Sequence, residues 1–135
     1  MTETSPVSFQ TSSTDSFINK TTTVGTILDG LEAKLIDNNG NTCPVGVPGE
    51  FLLRGWAVMK EYWEDPAANE KSIVDGWMKS GDLGIFNSEG YLTIVGRSKD
   101  MIIRGGENVY PKEIEEYLNN KLRDIMDVQV VGVPD

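Results

Sequence analysis

Histidine is absent from these 135 residues, and cysteine occurs once, at Cys43. Those two gaps remove the common soft metal ligands. A zinc site and Ser-His or Cys-His nucleophile chemistry are therefore excluded within the chain. A lone cysteine closes no internal disulfide, and Cys43, beside Pro44 with no basic neighbour, is assigned no chemistry. No apolar run is long enough to cross a bilayer as a helix. Positive charge is also scarce: 12 Lys and Arg stand against 21 Asp and Glu, a formal net charge of -9 that opposes attraction to nucleic-acid phosphate. No nucleic-acid partner is expected. Neither GxxxxGK[ST] nor GxGxxG occurs, which removes the P-loop and Rossmann readings. The opening MTETSPVSFQTSSTDS lacks the basic and apolar regions of a secretory signal.

What is present reads as short strands interrupted by turns. Residues 10–23 are polar and without apolar period, and are expected to be a loop. Strands are expected over residues 31–37 and over GEFLLRG, 49–55. Met59, Tyr62 and Trp63 recur at helical spacing before Pro66 restarts the chain, predicting a helical interlude in two pieces. Trp56, Trp63 and Trp77 are expected to be packed aromatics. Leu83 to Phe86 and Tyr91 to Val95 flank Asn87-Ser88-Glu89-Gly90, a hairpin signal. A further strand, Met101 to Ile103, leads to Gly105-Gly106.

The clearest helix is PKEIEEYLNNKLRD, opened by Pro111, with acids in its first turns and Lys121 and Arg123 at its end. Its apolar stripe of Ile114, Tyr117, Leu118 and Leu122 requires a docking surface. The valines at 128, 130, 131 and 133 predict a strand buried on both faces. Between strand and helix lies GRSKDMIIRGGENVYPKEIEE, whose density of charge and glycine fits a surface turn, a phosphate cradle or a hinge. Spacing alone favours the turn, with the glycine pair supplying positive φ.

Three stretches, MTETSP at the start, GWMKSGD at 76–82 and GRSKDMIIRGGEN at 96–108, together resemble the core signatures of the adenylate-forming acyl-CoA synthetase superfamily. The likeness is nearest to its mitochondrial medium-chain branch and covers almost the whole chain. It implies an α+β fold. Residues 1–97 would be the end of a large AMP-binding domain, an antiparallel distorted β-barrel subdomain. Residues 98–135 would be a hinge and the truncated start of a small C-terminal α/β domain. The resemblance also implies a central fragment, lacking the family's adenylation lysine and triphosphate loop and therefore inactive alone.

Carried over by position, Glu3 resembles a magnesium-associated carboxylate and Thr2 a hydroxyl meeting the nucleotide phosphate. A hard dication takes oxygen ligands, so a carboxylate there is chemically apt. Asp82 resembles the acceptor of both ribose hydroxyls, a role suited to an ionised carboxylate. Arg97 resembles the arginine on the ribose or phosphate side. Lys99 falls at the pivot, and Gly105 and Gly106 at a passage for the pantetheine arm of coenzyme A. Without the resemblance, a terminal Thr-Glu is solvated surface, Ser80-Gly81-Asp82 is a turn and Arg97 is a rim ion pair.

The implied ligands are ATP or AMP, Mg2+, coenzyme A and a small carboxylic acid. The implied partner is the remainder of a parent chain, and the implied compartment the mitochondrial matrix, with the cytoplasm as alternative. Two other readings stay open: a non-catalytic interaction module pairing through its last strand, and a ligase for an aryl or amino acid.

Overall fold

The computed structural model describes residues 1–122 and 124–133. After a one-turn helix at Thr2–Thr4 come β1 (Phe9–Gln10), α1 (Phe17–Thr22), β2 (Thr26–Ile27), β3 (Leu31–Ile36) and β4 (Gly49–Gly55). Then follow α2 (Pro66–Ser72), β5 (Ile73–Val74), β6 (Trp77–Phe86) and β7 (Leu92–Arg97). A second one-turn helix, Ser98–Asp100, leads to β8 (Ile102–Arg104), β9 (Glu107–Val109) and α3 (Pro111–Lys121).

Five antiparallel strands form the main sheet, with β3 beside β4 and β4 beside β6. The far edge of β6 is shared: β5 pairs with its first residues and β7 with Asp82 to Phe86. The mixed α/β architecture and antiparallel pairing match expectation, and the described strands form an open sheet without closing into a barrel. Leu35, Phe51, Leu53 and Leu92 are buried at its centre, packed by Phe9, Ile27, Val58, Phe86 and Ile94. Phe9 meets Phe51 edge to face with ring centroids 5.4 Å apart, the geometry that aromatic quadrupoles favour. The half-buried Cys43 also touches this core, and burial pushes its thiol pKa up, consistent with an inert packing role.

Four local expectations are corrected. The stretch 10–23 contains α1 as well as turns: the Ser16 hydroxyl caps it by accepting from Asn19 N–H at 3.1 Å. Thr21, Thr22 and Thr23 hydroxyls donate back to the carbonyls of Phe17, Ile18 and Asn19, so a helix forms without an apolar stripe. Residues 59–63 are not helical, because their amides bond elsewhere: Met59 N–H to the Glu3 carbonyl and Tyr62 N–H to the Asn69 side chain. Only the second piece, α2, is a helix, capped by Asp65.

Nor are all the tryptophans packed, since Trp56 and Trp63 are 66% and 83% exposed. Finally, the valine-rich segment forms no strand. A strand needs a neighbouring backbone to complete its ladder, and none is offered among the described residues. Val131 and Val133 are 74% and 81% exposed, while Val130 N–H is taken by the Glu115 carboxylate at 2.8 Å.

The helix α3 runs as expected from Pro111, and Lys112 ties it to β7 by donating to the Ile94 carbonyl at 2.9 Å. Its expected apolar stripe is largely uncovered, with Ile114, Tyr117 and Leu122 all exposed. Arg123, expected to close the helix, lies outside the described residues.

Candidate functional site

Across β4 and β6, Glu50 pairs with Leu83 and Leu52 with Lys79, so the single residue Phe51 faces three residues, Ser80, Gly81 and Asp82. This is a bulge, and bulges re-aim side chains. Gly81 makes it possible with φ +72, a conformation that L side chains rarely adopt. The buried Ser80 hydroxyl fills the gap, donating to the Phe51 carbonyl at 2.7 Å and accepting from Asp82 N–H at 3.0 Å. Ser80 thus replaces a missing ladder bond and fixes the backbone of Asp82.

On the other edge of β6, Asp82 pairs directly with Arg97 of β7. Arg97 Nε donates to Asp82 Oδ1 at 3.2 Å, with the carboxylate 28% and the guanidinium 55% exposed. A pair this wet contributes little to stability, since solvent screens it. Its value is positional: it keeps the two groups partly free and side by side.

Glu3 joins them from the far end of the sequence. Its one-turn helix is anchored by Thr4, fully buried, whose hydroxyl donates to the Met1 carbonyl at 3.1 Å. The Tyr62 phenol donates to Glu3 Oε1 at 3.0 Å, and Met59 N–H donates to the Glu3 carbonyl at 2.8 Å. The Glu3 backbone N–H and then the Tyr62 phenol hold this carboxyl below its usual pKa. Burial, followed by the Glu3 carboxylate itself, pushes the phenol up.

Glu3, Asp82 and Arg97 line one cleft of about 370 Å³, together with Tyr62, Glu50, Lys71 and Lys79. That volume falls in the range of about 300–1,000 Å³ typical of small-ligand sites. The cations offer donors for phosphate and the carboxylates offer acceptors for hydroxyls or a hard cation. A dication held at Glu3 would draw one oxygen ligand from it. No group of three or more His, Cys, Asp or Glu gathers for a metal among the described residues.

Other expected residues lie apart from this cleft. Thr2 is exposed and is not part of its lining. Lys99 sits in the turn Ser98–Asp100 and lines a different cavity of about 590 Å³, between that turn, α3 and residues 129–132. Arg97 lines both. Gly105 and Gly106, φ +61 and +86, form the two-residue turn between β8 and β9, where Arg104 pairs with Glu107. Both positions need positive φ, the signature of a type I′ hairpin. A Cβ at either would meet nothing within 4 Å, so among the described residues it is the turn conformation, not close packing, that calls for glycine.

Trp77, in the second signature, also stands outside the cleft. Its ring carries Lys34 Nζ at 4.3 Å and Arg54 Cζ at 4.5 Å, while Arg54 pairs with Glu32 through two hydrogen bonds of 3.1 and 2.6 Å. Tyr62 and Ser80 are the contributors that sequence reasoning missed. Ser80 lies within the second signature, whereas the Tyr62 contact spans 59 positions and leaves no local signal.

A family model for AMP-binding enzyme matches residues 1–63. The medium-chain acyl-CoA ligase ACSF2, mitochondrial, of Danio rerio is 46% identical over 99% of this chain and 22% of its own length. The acyl-CoA ligase sidI of Aspergillus fumigatus is 43% identical over 100% of this chain and 24% of its own. Over almost its whole length the chain is similar to acyl-CoA ligases, with its first 63 residues matching AMP-binding enzyme. It spans about a quarter of the length of the curated relatives it matches.

Solved structures agree. The ATP-bound MatB of Rhodopseudomonas palustris superposes with TM-score 0.89 at 35% identity, covering 99% of this chain and 26% of that one. The O-succinylbenzoate coenzyme A synthetase of Bacillus subtilis, in complex with ATP and magnesium ion, gives 0.88 at 37% identity, covering 100% and 28%.

Proposed function

We propose that these residues form the nucleotide-binding floor and hinge of an AMP-forming acid-thiol ligase. The ligase joins a carboxylate to AMP with release of pyrophosphate, and then transfers the acyl group to the thiol of coenzyme A. The observation that carries this reading is the convergence of Glu3, Asp82 and Arg97, from three separate sequence signatures, on one cleft.

In this reading Asp82 accepts hydrogen bonds from the two ribose hydroxyls. The bulge holds its backbone so that the carboxylate need not be ordered on binding. Arg97 donates to the ribose or phosphate oxygens, moving from its present hydrogen bond to Asp82 Oδ1 or sharing it. Glu3 holds Mg2+, which offsets triphosphate charge during adenylation. Thr2, exposed at the start of the same one-turn helix and outside the cleft's lining, would reach the phosphate beyond the cleft.

The chain divides at the Ser98–Asp100 turn into the end of an AMP-binding domain (1–97) and the start of a small C-terminal domain (98–135). Lys99 is the pivot between the two half-reactions. Gly105 and Gly106 let the pantetheine arm pass close to the backbone.

A medium-chain fatty acid is the proposed substrate, on the likeness to the ACSF2 proteins. The likeness to O-succinylbenzoate coenzyme A synthetase supports an aryl acid as the second reading. The relatives named mitochondrial support a matrix location, and the bacterial and fungal relatives support the cytoplasm. The 135 residues alone are proposed to be inactive, so pyrophosphate exchange into ATP by the purified chain with a fatty acid would refute that clause.

The test of the site is Asp82→Ala in a ligase carrying this segment. Loss of hydrogen bonds to a charged group, about 1.5–3 kcal/mol, predicts roughly 10- to 150-fold weaker binding of an acyl-AMP analogue. Unchanged affinity in a folded variant would sink the assignment.

A further inference from the structure

A cation-binding carboxylate must be aimed as well as present. Glu3 sits on a turn of only three residues, Thr2–Thr4, which by itself leaves the side chain free to sample rotamers. Residues 59–69 remove that freedom at two points. Met59 N–H fixes the Glu3 main chain at 2.8 Å, and the Tyr62 phenol fixes Oε1 at 3.0 Å. Tyr62 is itself held: its N–H donates to Asn69 Oδ1 at 2.6 Å, and Asn69 Nδ2 donates to its carbonyl at 3.0 Å. This two-point grip replaces the ladder that residues 59–63 lack. Asn69 in turn stands on α2, whose first turn is capped by the Asp65 carboxylate at 3.0 Å.

We propose that Tyr62, gripped by Asn69, is a positioning residue that holds the Glu3 carboxylate in a cation-binding orientation on the cleft wall. Glu3 touches the cation, and Tyr62 acts through Glu3. The inference rests on the proposed Mg2+ role of Glu3 and extends it to a partner 59 positions away in sequence. A phenol suits this role because it donates one hydrogen bond to the carboxylate without adding a charge that would compete with the cation. Such outer partners of metal ligands commonly affect metal affinity by about tenfold or more.

The test uses a whole ligase carrying this segment, isotope-labelled in these 135 residues, with ATP and titrated with Mn2+ as a paramagnetic probe. The readout is broadening of the Glu3 side-chain signals in NMR spectra. Tyr62→Phe removes only the hydroxyl and is expected to raise the Mn2+ midpoint about tenfold, with the dispersed spectrum of the folded chain retained. Asn69→Ala, which leaves the phenol but loosens its backbone, is expected to shift the midpoint the same way, and decides the matter if Tyr62→Phe does not fold. Glu3→Gln is expected to abolish the localised broadening.

Broadening lost in Glu3→Gln but at the original midpoint in both other variants would overturn the positioning role while leaving Glu3 as ligand. Broadening that persists in Glu3→Gln, or is absent from the unmodified ligase, would overturn both.

Discussion

Replacing Ser80 by Ala removes one oxygen atom, yet the bulge makes it an expensive one. The hydroxyl serves Phe51, whose carbonyl lies deep in the sheet, and Asp82, whose N–H lies at the cleft wall. Each net hydrogen bond contributes about 1 kcal/mol, and a buried polar group left without a partner costs about 1–3 kcal/mol. The Phe51 carbonyl bears that second cost in full, because Phe51 is only 4% exposed. The Asp82 amide recovers much of it, because water reaches a residue whose side chain is 28% exposed. The sum is about 2–3 kcal/mol.

For a chain of this length that corresponds to a drop in Tm of roughly 6–10 °C. Thermal and urea unfolding followed by circular dichroism measure it directly, with the urea slope unchanged if only stability is altered. Ser80→Thr keeps the hydroxyl and is expected to lose less than about 1 kcal/mol. A Ser80→Ala loss below about 0.5 kcal/mol, or equal losses for Ala and Thr, would refute the reading of Ser80 as the bond that closes the bulge.

Other expectations follow from the same geometry. In a ligase carrying this segment, Lys99→Pro should slow thioester formation more than adenylation, because Pro fixes φ where rotation is needed; equal loss of both half-reactions would count against a pivot. Gly105→Asn should keep the β8–β9 hairpin, since Asn-Gly suits a type I′ turn, so a thioester-forming defect with normal amide protection would mean that backbone approach, not the turn, requires glycine. Gly106→Val should fray the hairpin, costing about 1–2 kcal/mol locally and speeding amide exchange at Val109.

The Asp15 carboxyl is held below its ordinary pKa by the Ser12 N–H and then by the Tyr91 phenol. Its contribution is therefore complete above the ordinary aspartate pKa and lost as pH falls through the lowered value. Amide exchange in residues 12–15 should accelerate on that acid side, and in Tyr91→Phe the acceleration should begin at higher pH.

Strands with apolar content and a polar turn between them were legible: β4, the β6–β7 hairpin and the start of α3 at Pro111 all lie where composition places them. Local signals fail where a segment's backbone bonds leave the segment. Met59, Tyr62 and Trp63 carry helical spacing, yet the amides of Met59 and Tyr62 are claimed by Glu3 and Asn69. Conversely, residues 17–22 have no apolar stripe and still form α1, because hydroxyls of the same segment supply cap and back-bonds. The valines near residue 130 show the third case. Their pattern states what the side chains favour, but a ladder is a property of two backbones, and Val130 N–H bonds to a glutamate side chain instead.

The candidate site divides along the same line. Glu3, Asp82 and Arg97 could be named from short signatures, but nothing local brings them together. Asp82 and Arg97 meet because the hairpin turn sets their register, and Asp82 is presented because Ser80 and Gly81 add residues that Phe51 cannot match. A Ser-Gly-Asp tripeptide has the same composition in a solvent turn and in a bulge. What separates the two is the Phe51 carbonyl on β4, 29 positions earlier in sequence. The charge and glycine between β7 and α3 resolve similarly into distinct parts: Arg97 belongs to the cleft, Lys99 to the adjoining cavity, and Gly105 and Gly106 to a tight hairpin. Among the described residues Arg97 alone borders both cavities, so a shift in the Ser98–Asp100 turn would be felt first at the group that touches Asp82.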